Sequence, residues 1–159
     1  MQDHAAIVTD VDMDRLTRLV RAFKHSLFRD QQQIELLDQK LNSAEIRTPG
    51  RFPRDVIRMN SCVRVLDCDT QRRELYTLVF PDEVNISKGM ISVLAPLGIA
   101  LLGQRKRNVI EAQVPGGTRR LRVESVRQPS AVNKTKASED GSIPRPSHLR
   151  RGYATALAV

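Results

Sequence analysis

Tryptophan is absent from this 159-residue chain, and two Tyr and four Phe bring the aromatic share to only 4%. So few π-faces exclude a reader of splayed-out single-stranded bases, which needs stacking platforms. Cysteine is nearly absent too. Cys62 and Cys68 are too few for a disulfide scaffold and have neither CxxC nor zinc-ribbon spacing, so two free thiols in a reducing cytoplasm are expected. The three histidines, His4, His25 and His148, are scattered over the terminus, a turn and the tail. That spacing supplies neither a metal set nor a nucleophile and base pair, so no catalytic residue, metal or cofactor is expected. Long apolar runs are missing as well. The longest, residues 90–103, is interrupted by Ser92, Pro96 and Gly98 and falls short of the roughly 20 residues that span a bilayer. The start has no basic stretch followed by an apolar one, so no secretory signal and no membrane partner are expected.

What the chain has in excess is positive charge: 26 Lys and Arg stand against 18 Asp and Glu, a formal +8. An anionic partner is therefore to be considered. The excess is uneven. Basic and acidic residues number nine and nine over residues 1–55, twelve and seven over 56–128, and five and two over 129–159. The last segment mixes Pro, Ser, Lys and Gly without a sustained period. It cannot bury enough apolar surface to offset its ordering entropy and reads as a disordered basic tail.

Leu16, Leu19, Val20, Phe23 and Leu27 fall at i, i+3, i+4, i+7 and i+11, an apolar stripe along one helix, with Asp12 or Asp14 as its N-terminal acid. Ile34, Leu37, Leu41 and Ala44 repeat at three and four, a second helix that stops before Thr48, Pro49 and Gly50. Two such stripes joined by a short polar turn predict an antiparallel helical hairpin, a short coiled coil. At about 1.5 Å per residue it makes an arm of roughly 22 Å.

Beyond residue 55 the period changes. Residues 62–66, 74–80, 90–94, 109–114 and 119–126 are short, rich in β-branched side chains and roughly alternating, which predicts an antiparallel sheet. Pro96 and Gly103 bracket one short helix between the third and fourth strands. Gly116 and Gly117 precede a strand where a phosphate loop needs a helix, so they read as hairpin glycines. The fold class is α+β. The expected division is a helical hairpin over 1–54, a sheet domain over 55–128 and a tail over 129–159.

Arg105, Lys106 and Arg107 form a basic run after the short helix, and Arg120 and Arg122 share one face of the last strand. These read as a solvated face, or as a patch for phosphates or an acidic surface. At the hairpin tip, Arg29 and Asp30 stand together. Asp30 is the sole carboxylate in the turn. Glu35, five residues on, lies about 140° around the helix, so a two-carboxylate cation clamp is poorly supplied.

Residues 52–67 (FPRDVIRMNSCVRVLD), 75–83 (LYTLVFPDE), 91–103 (ISVLAPLGIALLG) and 114–126 (VPGGTRRLRVESV) resemble the C-terminal domain of bacterial Gre transcript-cleavage factors. They resemble the regulator of nucleoside diphosphate kinase family more closely. Residues 29–46 (RDQQQIELLDQKLNSAEI) are similar to the second arm helix of Gre factors, and the resemblance covers about residues 10–128. It implies an FKBP-like sheet domain docked at the secondary-channel rim of RNA polymerase, with the helical arm directed into the channel. The rim-facing positions it implies are Asp82, Glu83, Ala95, Pro96 and Leu97. Gre factors use paired acids at the tip to position magnesium, whereas this tip has one acid flanked by Lys24, His25 and Arg29.

The expected function is thus a monomeric, non-enzymatic RNA polymerase regulator that competes with Gre-type factors without stimulating RNA cleavage. The alternatives are cleavage stimulation through Asp30 and direct nucleic-acid binding through Arg105, Lys106, Arg107 and the tail. Prolyl isomerase activity is disfavoured because that chemistry uses an aromatic-lined pocket.

Overall fold

The computed structural model describes residues 5–26 and 31–129. In chain order the elements are β1 (Ile7–Thr9), α1 (Asp10–Lys24), α2 (Gln31–Asn42), β2 (Glu45–Arg47), β3 (Cys62–Asp67), β4 (Arg73–Val79), β5 (Met90–Ser92), α3 (Pro96–Leu101), β6 (Val109–Val114) and β7 (Gly117–Arg127). The expected α+β class, a pair of helices followed by a sheet with one short helix, is what the chain adopts. Leu27, the tip residues Arg29 and Asp30, His4, His148 and the tail beyond residue 129 lie outside the described residues.

Helix α1 starts six residues before its apolar stripe, at Asp10. Thr9 is the N-cap, its side chain accepting from the Asp12 amide at 3.0 Å, and Asp10 and Asp12 occupy the first turn. Those acids oppose the unsatisfied amides and the positive dipole end, and Arg21 and Lys24 do the converse in the last turn. Asp14 is not a capping acid. It lies further along and pairs with Arg18 at 2.7 Å.

Both stripes turn inward. Leu16 and Val20 of α1 and Ile34, Leu37 and Leu41 of α2 are buried in a single apolar cluster with Ile57, Met59, Val63, Leu101, Leu121 and Val123. Full burial of each Leu or Ile contributes about 1.5–3 kcal/mol, so hairpin and sheet stabilise each other through a common interior. Polar bonds seal that junction. The Met59 amide donates to the buried Asp12 carboxylate at 3.3 Å, and Lys40 Nζ of α2 donates to the carbonyl oxygens of Ile99 and, at 3.2 Å, Ala100. Gly103 follows α3 at φ +76°, where a Cβ would lie 2.5 Å from that of Ala6, so only glycine lets β1 pass this closely. Among the described residues the two helices therefore do not stand clear of the sheet. α2 runs beside α3 and faces β6 across a cleft lined by Gln33, Leu36, Lys40, Ile99 and Glu111.

The main sheet has the order β5-β4-β3-β7-β6. It is mixed, not antiparallel throughout. β5 pairs with β4 in parallel, with Thr77 opposite Met90 and Val79 opposite Ser92. The reason lies in residues 80–89. Two 3-10 turns, Pro81–Glu83 and Ile86–Lys88, carry the chain back to Leu75 and Tyr76, beside which Gly89 sits, before β5 sets out in the same direction as β4. A second departure is a small parallel pair, β1 with β2, which brackets the helical hairpin. The β6–β7 turn falls at Pro115 and Gly116, with Gly117 at φ +126°, so β7 begins two residues before the expected Arg119.

Candidate docking surface

Parallel pairing of β4 and β5 decides where the acidic turn lies. Both strands leave the sheet at the same end, so the turn after β4, which carries Asp82 and Glu83, and the turn after β5, which carries Ala95 and Pro96, emerge side by side. Antiparallel pairing would have sent them to opposite ends. The two exits are bonded, the Val93 amide donating to the Val79 carbonyl at 2.9 Å, and the acidic turn is closed on itself by the Glu83 amide donating to the Phe80 carbonyl at 2.9 Å.

Asp82 and Glu83 are exposed, and Ala95 and Pro96 are partly exposed. Leu97 differs. It is 9% exposed and belongs to the apolar cluster, so its side chain does not reach the surface that the resemblance implied for it. Pro96 sits in the first turn of α3 with Ala95 as cap, where its missing N–H costs nothing. Gly98 lets α3 settle on β5.

Two features of this surface escaped the sequence reading. The Arg15 guanidinium of α1 stacks over the Phe80 ring, 4.0 Å from its centroid, and so braces the root of the acidic turn against the helical hairpin. Val84 and Ile86 are exposed at 41% and 84%, directly after the acidic pair. Their sequence signal is slight: two apolar residues in an otherwise polar connection. Asn85 between them fixes the turn, its side chain accepting from the Lys88 amide while its own amide donates to the Met90 carbonyl.

Arg105, Lys106 and Arg107 are exposed at the head of β6, the edge strand opposite β5, so they are not part of the acidic surface. Arg105 pairs with Asp55 at 3.5 Å, and the Lys106 amide donates to the Asp55 carbonyl. Cys62 and Cys68 are free thiols.

An ion network closes the inner face of the sheet. Asp67, 3% exposed, receives Arg119 at 2.8 Å together with the amides of Asp69 and Thr70, and Arg119 also reaches Glu74 at 2.9 Å. The Thr70 amide, then Arg119, hold the Asp67 carboxyl down at about 2. Burial acts to raise Glu74, but hydrogen bonds from Tyr76 and Arg119 outweigh it and leave its pKa lowered. Tyr76 is raised, by burial first and then by its bond to Glu74. Every member of this set is satisfied by another, which marks a structural brace. Burial lowers Lys40 to about 8. Among the described residues no group of His, Cys, Asp and Glu is placed to hold a metal ion, and no helix is long and apolar enough to cross a membrane.

A family model described as the C-terminal domain of the transcription elongation factors GreA/GreB matches residues 52–128. The regulator of nucleoside diphosphate kinase of Escherichia coli (strain K12) is 32% identical over 111 residues, 70% of this chain and 79% of that protein. Transcription elongation factor GreA of Bartonella henselae is 30% identical over 96 residues, 60% of this chain and 61% of that one. Among solved structures, a prokaryotic transcription elongation factor GreA/GreB from Nitrosomonas europaea superposes with a TM-score of 0.65 at 32% identity, covering 79% of this chain and 100% of that one.

Proposed function

Because the chain belongs to the family of the regulator of nucleoside diphosphate kinase, related to the Gre transcription elongation factors, we propose that it is a transcription regulator that docks on RNA polymerase at the rim of the secondary channel. It acts there by occupancy, excluding Gre-type factors, and leaves RNA cleavage unstimulated. The observation that carries this reading is the shared exit of β4 and β5, which presents Asp82, Glu83, Ala95 and Pro96 as one surface. Acids at its centre and the exposed Val84 and Ile86 beside them suit a partner that offers basic and apolar groups together.

In this reading residues 55–128 sit on the rim, residues 1–54 face the channel, and residues 129–159 are an appended tail. The protein acts as a cytoplasmic monomer. Reach is secondary, since the hairpin is short and shares its core with the sheet. Cleavage stimulation is not part of the proposal: Asp30 is the one carboxylate of the turn, His25 and Arg29 flank it in sequence, and the nearby Lys24 is paired with Asp38 at 3.1 Å.

The test is retention of core RNA polymerase by the immobilised protein and by the double variant Asp82→Ala, Pro96→Ala. The proposal expects retention by the first and its loss in a double variant that melts normally. Equal retention by both would remove this surface from the interface. Backtracked complexes supplied with magnesium test the second half. RNA should remain uncut when this protein is added, and shortening that vanishes with Asp30→Ala would establish cleavage stimulation instead.

A further inference from the structure

The sheet has a second face, and its charge is of the opposite sign to the docking turn. Leu121 and Val123 of β7 and Val63 and Val65 of β3 point into the core, each 0% exposed, so alternation turns Arg120, Arg122 and Arg64 outward. Register then brings them together. Leu66 lies opposite Arg122 and Arg64 opposite Ser125, with a bulge in the ladder between Arg64 and Val65, so Arg64 and Arg122 stand on adjacent strands three register positions apart. The basic turn joins this cluster from the other side. The Arg107 amide donates to the Val123 carbonyl at 2.7 Å, and Val109, at the head of β6, pairs with Arg122. Arg64, Arg120, Arg122, Lys106 and Arg107 are exposed, and among the described residues their side chains make no ion pair or hydrogen bond.

Acids are present but mostly committed. Glu124 is held by Arg73 at 3.0 Å and Asp55 by Arg105 at 3.5 Å, which leaves Glu111, opposite Arg120, and the exposed Asp69, next to Cys68 whose amide donates to the Arg120 carbonyl, to offset part of the free charge. Leaving several like charges adjacent and unpaired costs stability through mutual repulsion, and an anionic partner relieves it.

We propose that this outer sheet face, centred on Arg64, Arg120 and Arg122 with the turn at Arg105–Arg107, binds the phosphate backbone of a nucleic-acid duplex without reading its sequence. Three observations select that partner. Arg120 and Arg122 are spaced by one pleat, about 6.8 Å along the strand, giving a row of regularly placed cations that suits a regularly charged polymer. The cations are arginines apart from Lys106, and guanidinium binds phosphate in a planar, two-pronged geometry. The face carries no aromatic side chain between them for stacking bases, which favours backbone contact over single-strand capture. The site lies apart from the acidic turn, so it stands or falls independently of docking on polymerase.

The test uses the full chain and a short DNA duplex of mixed sequence, with binding followed by fluorescence anisotropy over a range of salt concentrations. A duplex RNA arm and a polyglutamate arm run beside it. The wild type should bind with a steep negative salt slope. The triple variant Arg64→Gln, Arg120→Gln, Arg122→Gln should lose about tenfold or more in affinity at low salt and flatten the slope by about 2.7, near 0.9 for each lost phosphate contact. A second triple variant that removes three cations elsewhere, Arg21→Gln, Arg51→Gln, Lys88→Gln, should keep the wild-type slope. Both variants are first required to melt like the wild type, and single substitutions replace any that do not. Binding to DNA or RNA duplex that depends on the outer-face arginines supports the proposal. An unchanged slope in the first triple variant, equal loss in the second, or polyglutamate binding as tightly as the duplexes would overturn it.

Discussion

Gly98 of α3 lies so close to Ser92 of β5 that a Cβ on the glycine would meet the Ser92 carbonyl oxygen at 2.0 Å. That approach holds the Ala95–Pro96 turn against the end of β5 and hence beside Asp82 and Glu83. Gly98→Ala must push the helix off the strand. The expected cost is about 1–3 kcal/mol, the usual penalty for overpacking, read as a lower midpoint in denaturant. Polymerase binding should weaken by more than the folded fraction lost. An alanine variant as stable as the wild type would show that the contact is slack.

Arg15 and Phe80 make the second brace of the same surface, from the helical side. Arg15→Ala should cost about 0.5–1 kcal/mol, the range for an exposed cation over a ring. A double-mutant cycle with Phe80→Leu isolates that coupling from the loss of the ring itself. Simple additivity of the two single substitutions would mean that the stacking contributes nothing.

Acid sensitivity should come from Asp67. Its carboxyl is held at about 2 in the fold, below its value near 3.9 in an unfolded chain. The stabilisation is therefore complete above about pH 4 and is lost as pH falls toward about 2. Arg119→Met removes the guanidinium that bridges Asp67 and Glu74, so the variant should be less stable at neutral pH and lose less on acidification. Parallel pH profiles for the two proteins would exclude Arg119 as a cause of the lowered carboxyl.

Lys40 gives an effect at the other end of the pH scale. Burial lowers it to about 8 from an ordinary 10.5, so the folded state holds its proton less tightly than the unfolded state does. Stability should accordingly rise, relative to Lys40→Met, as pH increases from about 8 to about 10.5. Chemical denaturation at several pH values measures this difference. A difference independent of pH across that window would mean that the ammonium is solvated in the folded protein.

The helices and most strands were legible because their signals are local. Leu16, Val20, Ile34, Leu37 and Leu41 declare a 3.6-residue period, and Val109–Val114 declares alternation that the structure follows residue for residue. Pro96 and Gly103 bracketed α3 for equally local reasons of backbone geometry. The direction of β5 was not legible. Three residues, Met90–Ser92, carry no mark of parallel or antiparallel pairing, and what fixes it is the path of residues 80–89. The parallel pair β1–β2 escaped for the same reason, since each strand is three residues long. At the candidate site, the resemblance supplied Asp82, Glu83, Ala95 and Pro96. It could not reveal that Leu97 turns into the core, or that Arg15 crosses from the helical hairpin to cover Phe80. Both depend on contacts between residues far apart in the chain.

Competition for one surface on RNA polymerase tests the account most directly. A fluorescently labelled Gre factor is bound to core polymerase and the unlabelled protein is titrated in, with the Asp82→Ala, Pro96→Ala variant as control. The account predicts concentration-dependent displacement to completion by the wild type and little by the variant. Simultaneous binding of both proteins, with neither weakening the other, would contradict it.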